Sequence, residues 1–125
     1  MVGDGGEETA GLREHPVKEV ARNGSAVVVR LVGELDLYNA EEVRKALGEA
    51  SADSPERLVV DLGEVTFIDS TSLGVLIEAR TRLANRRAFL LAAPRLETQR
   101  ALAASGLDRH FSVHQTLDDA LAARV

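Results

Sequence analysis

Cysteine and tryptophan are absent from this 125-residue chain, and aromatic residues make up only 3% of it. Without cysteine there is no disulfide framework, thiol nucleophile or cysteine-based zinc site. With so few rings there is little on which nucleic-acid bases could stack, and the core falls to Leu, Val, Ile and Ala. Acids outnumber bases, 20 Asp and Glu against 15 Lys and Arg. The formal net charge of −5 argues against binding to nucleic-acid backbones or anionic membranes, because those surfaces demand Lys and Arg. No run approaches the roughly 20 apolar residues of a membrane span. The acidic, Gly-rich start also lacks the basic-then-apolar order of a secretory leader. The expected location is cytoplasmic.

What is present suits one soluble domain. Hydrophobic residues are 45% and charged residues 28% of the chain, and the length supports one core but no second independent module. Residues 1–16, with Gly3, Gly5, Gly6 and Gly11, are expected to form a mobile tail ahead of a domain over 17–125.

Residues 17–21, Asn23-Gly24 and residues 25–32 spell a β-hairpin, with Val27, Val28 and Val29 fit for a strand buried on both faces. A loop over 33–38 follows. Asn39 and Glu42 then have capping-box spacing ahead of a helix over 40–50. Residues 51–56 read as a turn, 58–62 as a strand, and a further buried segment ends at Ile68. Leu73, Leu76, Ile77 and Leu83 recur at helical spacing, predicting a helix as far as Asn85 or Arg86. Residues 88–92 form a strand stopped by Pro94, and 96–105 a helix capped by Gly106. Residues 111–113 make a short edge strand, and Thr116 with Asp119 opens a last helix through Ala123. Alternating strands and helices imply an α/β fold. Its parallel strands are joined by right-handed crossovers, most helices lie on one face, and the other face is open or partly covered.

The stretch Phe67-Ile68-Asp69-Ser70-Thr71-Ser72-Leu73-Gly74 places three hydroxyls at a helix start. A side-chain oxygen there can cap an unpaired backbone N–H, and the same N–H groups and dipole would stabilise a phosphate on Ser70. Taken alone, the pattern favours capping. Other chemistries fit worse. Ser70, Asp69 and His110 or His114 are the residue types of a hydrolase triad, but Ile68 and Ser72 stand where a nucleophile elbow has glycine. Three histidines at 15, 110 and 114, with Asp61, Glu64 and Asp69, form no metal-ligand spacing. A phosphate-binding loop or dinucleotide fingerprint is missing, so no cofactor is implied. A phosphorylated-Asp receiver would need a late Lys, and none follows Lys45.

Gly33-Glu34-Leu35-Asp36, the strand at 58–62, the Asp69-Ser70-Thr71-Ser72-Leu73-Gly74 run and Ser105-Gly106-Leu107 together resemble the STAS-domain anti-sigma factor antagonists of bacteria. The resemblance spans about residues 17–123. It implies a single STAS-like domain with an open mixed sheet of four or five strands and helices mainly on one face. It further implies a switch protein, not an enzyme. The unphosphorylated form would bind an anti-sigma factor serine kinase and free a sigma factor. Phosphorylation at Ser70 would end that contact, and a serine phosphatase would restore it. Asp69 resembles the acid beside the acceptor, placed to orient its hydroxyl or help its proton leave, and Asp36 the loop acid near the partner. Thr71 would be the helix cap. Asp36, Asp69, Ser70, Thr71, Ser72 and Leu73 would form the partner surface, with no direct contact to nucleic acid or membrane. Ser72 departs from the usual glycine, which would add a side chain to that surface. The alternative is a scaffold or sensor module that acts by assembling with other STAS proteins.

Overall fold

The computed structural model describes residues 14–125, so most of the expected tail lies outside the described residues. Among the described residues, five strands lie in sheet order β1-β2-β3-β4-β5: β1 (Val17–Asn23), β2 (Ala26–Leu35), β3 (Arg57–Ile68), β4 (Phe89–Ala92) and β5 (Ser112–His114). β1 and β2 are antiparallel and the other pairings are parallel, giving the expected mixed sheet. Between the parallel strands run α1 (Ala40–Ala52), α2 (Ser70–Arg82) and α3 (Leu96–Ser105), and α4 (Leu117–Ala122) closes the chain. Among the described residues no helix is long and apolar enough to cross a membrane.

Asn23 pairs with Ala26 as a strand residue, so the hairpin turns on Gly24-Ser25, with Gly24 at φ +63°. A first turn residue at positive φ matches the twist of the flanking strands, and glycine adopts it without a Cβ clash.

Side chains alternate across the sheet. Val27, Val29 and Leu31 of β2, Leu58, Val60 and Leu62 of β3, and Phe89 and Leu91 of β4 face α1, α2 and α3. Val43 and Leu47 from α1, Leu76 and Ala79 from α2, and Leu102 from α3 fill this layer. Phe89 and Phe111 meet with ring centroids 5.9 Å apart. Val28, Val59, Leu90 and Ala92 point the other way and receive Ala120, Leu117 and Leu121 of α4. That second face is only partly covered. Beyond α4 it turns polar, where Arg30 pairs with Asp61 at 3.2 Å and Glu19 at 3.3 Å.

β3 is longer than its sequence pattern indicates. Its pairing with β2 slips between Arg30 and Val32 and again between Gly33 and Glu34, each time adding a residue to β3. The inward positions therefore run Leu58, Val60, Leu62 and then Val65 and Ile68, which breaks the two-residue period. α2 stops at Arg82, short of the expected Asn85. The Asn85 side chain accepts from Arg87 N at 3.1 Å and closes a 3₁₀ turn over Arg86–Ala88 instead. α1 runs two residues past its expected end, to Ala52, whereas two other helix ends follow expectation. Gly106 ends α3 at φ +77°, and Thr116 Oγ1 caps α4 by accepting from Asp119 N at 3.0 Å. The carboxyl ends of β2 and β3 lie side by side, Leu35 opposite Ile68, and both chains leave the sheet there.

Candidate functional site

Asp69 follows β3 directly in extended conformation (φ −102°, ψ 178°), with α2 beginning at the next residue. Its Oδ1 accepts from Ser72 N at 3.0 Å and its Oδ2 from Leu37 N at 3.1 Å, while its own N–H donates to Leu35 O at 3.1 Å. One carboxylate thus caps the helix and fastens the loop after β2 to it. This corrects two expectations. The cap is Asp69 and not Thr71, which occupies the second helical position. Asp69 also points both oxygens at backbone N–H groups instead of at the Ser70 hydroxyl. A carboxylate presents two charged oxygens in different places, one for each of these donors, whereas a hydroxyl has a single neutral oxygen.

The loop is closed from its other side by Asn39. Asn39 Oδ1 accepts from Asp36 N at 2.9 Å and its Nδ2 donates to Glu34 O at 2.8 Å, so the side chain is buried and makes no cap to α1. The capping box expected with Glu42 is therefore not formed. Asp36 Oδ1 accepts from Tyr38 N at 3.0 Å, an Asx-type turn that fixes the next two residues outward. Leu37 is 64% and Tyr38 81% exposed.

The three hydroxyls separate. Ser70 and Thr71 are exposed in the first turn, but Ser72 is 1% exposed with no hydrogen-bond partner for its Oγ, and Leu73 is 7% exposed within the core. Ser72 and Leu73 therefore do not form part of an accessible surface. With 3.6 residues per turn, position 72 shares the inner arc with Leu76 and Ala79, while Ser70, Gly74 and Ile77 share the outer arc. The side chain that replaces the usual glycine is folded inward. Among the described residues, no hydrogen bond holds the Ser70 hydroxyl.

The structure also brings Leu37, Tyr38, Phe67, Gly74 and Ile77 to the exposed periphery of this end of the sheet or the outer arc of α2; Ile77, expected in the apolar repeat of the helix with Leu73 and Leu76, is 41% exposed instead. The signal for the first two was an apolar pair in a polar loop. For Gly74 and Ile77 it was the spacing of four and seven from Ser70. Further along, Arg44 of α1 bonds Glu78 of α2 at 3.1 Å and also contacts Glu41. The hydrogen bond to Glu78, with the charge of Glu41, raises the guanidinium pKa above its ordinary range. The hydrolase constellation is not assembled. His114 lies on β5, with β4 between it and β3, and its Nε2 is 2.9 Å from Ser112 Oγ. Among the described residues no group of three His, Cys, Asp or Glu is placed to hold a metal ion.

The family model described as the STAS domain matches residues 17–120. The chain belongs to the STAS-domain family. The STAS domain here is 35% identical over 102 residues to an anti-sigma-F factor antagonist, RsfB, of Mycobacterium tuberculosis, covering 82% of this chain and 84% of the relative. An anti-sigma-B factor antagonist of Listeria monocytogenes is 34% identical over 70 residues, 56% of this chain and 61% of its own. Among solved structures, an anti-sigma factor antagonist from Mycobacterium paratuberculosis superimposes on this STAS domain with a TM-score of 0.78 at 36% identity, covering 82% of this chain and 88% of the other.

Proposed function

We propose that this STAS domain is an anti-sigma factor antagonist switched by phosphorylation of Ser70. Unphosphorylated, it docks on a kinase-type anti-sigma factor and frees the sigma factor. The kinase then transfers the γ-phosphoryl group of ATP to Ser70 Oγ, releasing ADP and the hydroxyl proton, and the contact ends until a serine phosphatase hydrolyses the ester. The names of the relatives support the antagonist role. The observation that carries the switch is the exposed, unheld Ser70 hydroxyl in the first turn of α2.

The chemistry fits the location. A phosphoryl group adds about −1.5 to −2 charges and three acceptor oxygens, and a helix N-terminus tolerates both. A partner packed against the turn would instead meet bulk and charge next to Asp69. A penalty of about 3 kcal/mol weakens binding more than a hundredfold. The fold survives and the contact does not. Thr71 is the rival acceptor, since it is also exposed, whereas the buried Ser72 is not.

Incubation with ATP and each purified anti-sigma factor kinase of the source organism, followed by phosphopeptide mapping, tests the assignment. Label on Ser70 is expected. Label confined to Thr71, or a Ser70→Ala protein labelled as fast as wild type, would overturn it.

A further inference from the structure

The described glycines fall into groups by what holds them as glycine. Gly24, Gly33 and Gly106 have φ between +63° and +79°, a backbone region that disfavours side chains. Gly48 and Gly63 have ordinary φ but close neighbours: a Cβ at Gly48 would stand 3.3 Å from the Arg82 guanidinium, and one at Gly63 would stand 3.2 Å from Asp61 Oδ1. Gly74 has neither reason. It lies within α2, its φ is not positive, and a Cβ built on it meets nothing within 4 Å. Glycine in a helix interior is less stable than alanine because its backbone loses more freedom on folding. Nothing inside the described fold compensates.

The position explains what the fold does not. Gly74 is four residues from Ser70, one helical turn along the outer arc, and Ile77 continues the arc 41% exposed. The loop end carries the exposed Leu37 and Tyr38. A second protein that reaches the Ser70 hydroxyl must come down over this arc. A missing side chain one turn away lets its backbone approach the helix closely.

We infer that Gly74 is a close-approach residue for the anti-sigma factor kinase, a position kept without a side chain so that the partner's surface can lie against α2 beside Ser70. The inference rests on the proposed switch and identifies where its contact is tightest. The partner surface it implies is apolar opposite Gly74, Ile77 and Leu37-Tyr38.

Gly74→Ala and Gly74→Leu test it together, with Glu97→Leu on the exposed side of α3 as the control for an added apolar side chain. Both Gly74 variants should fold, and Gly74→Ala should melt a few degrees above wild type. Affinity for the purified anti-sigma factor kinase that binds wild type should fall about threefold to tenfold in Gly74→Ala. It should fall more than tenfold in Gly74→Leu, with phosphorylation of Ser70 slowed alongside, and be unchanged in Glu97→Leu. Wild-type affinity in Gly74→Leu would overturn the inference and leave the switch standing, provided Ser70→Glu still abolishes binding. A drop in melting temperature in Gly74→Ala would also overturn it, by showing that the fold itself requires glycine. Failure of wild type to bind any such kinase of the source organism would remove the proposed function, and this inference with it.

Discussion

Leu76 and Ile77 are neighbours in α2, yet Leu76 is wholly buried and Ile77 faces outward. The same division runs the length of the helix. Ser72, Leu73, Val75, Leu76 and Ala79 are sealed against the sheet, while Ser70, Thr71, Gly74 and Ile77 are open. Inner residues determine whether the helix stays docked. Outer residues can change charge or size while the fold ignores them, which is the property a phosphorylation switch needs. Asp69 alone serves both sides, because its two oxygens reach a helix N–H and a loop N–H.

The largest effect that would sharpen this division is Leu76→Ala. Loss of a fully buried Leu side chain should lower stability by about 2–5 kcal/mol in urea unfolding. Affinity of the folded protein for the proposed kinase partner should stay within about twofold. A parallel collapse of affinity at temperatures well below melting would mean that the two sides are not separable.

Ser70→Glu makes the opposite demand. It should weaken partner binding by about 3 kcal/mol, a hundredfold or more, when titrated by calorimetry. Its melting temperature should move by no more than about 2 °C, because an acid in the first turn of a helix suits the dipole. Ser70→Ala should keep binding. A destabilised Ser70→Glu protein would place the hydroxyl on the inner side after all.

Asp69→Ala should cross the division. Losing a side-chain cap removes about 1–2 kcal/mol of stability, and the Leu37 N–H loses its acceptor at the same time. Amide exchange at Leu37 should therefore accelerate beyond what the change in global stability accounts for, and partner affinity should fall as Leu37 and Tyr38 lose their fixed positions. Unaltered exchange at Leu37 would show that Asn39 and Asp36 hold the loop without Asp69.

Local periodicity made much of the fold readable. The hairpin, the four helices and the partly covered second face all follow from spacings of two or 3.6 and from turn residues such as Gly24 and Gly106. The second half of β3 was hidden because two bulges shift its inward positions out of phase. The caps were misread for a different reason. Asn39, Asp69 and Thr71 are all able caps by residue type, and which of them caps depends on the loop between β2 and α1, a tertiary fact. Asn39 is drawn into that loop and Asp69 takes a helix N–H. At the site, Ser70 and Thr71 were legible as helix-start hydroxyls. Ser72 was misplaced on the surface because its residue type outweighed its spacing of four from Leu76, which puts it on the buried arc.

Ser72 is also where the smallest effect tests the boundary most finely. Its Oγ is buried with no hydrogen-bond partner, although a hydroxyl in that state forfeits its water contacts without replacement. Ser72→Ala removes that one atom, leaves the backbone N–H bonded to Asp69, and substitutes a better helix former. Stability should rise by about 0.5–1 kcal/mol in urea unfolding, and both phosphorylation and partner affinity should be unchanged. Loss of about 1 kcal/mol would instead mean that the hydroxyl is satisfied in solution, by an ordered water or by the carbonyl one turn back. A fall in affinity would carry the functional surface inward past the first turn, so that the helix could no longer be divided between a side that holds and a side that signals.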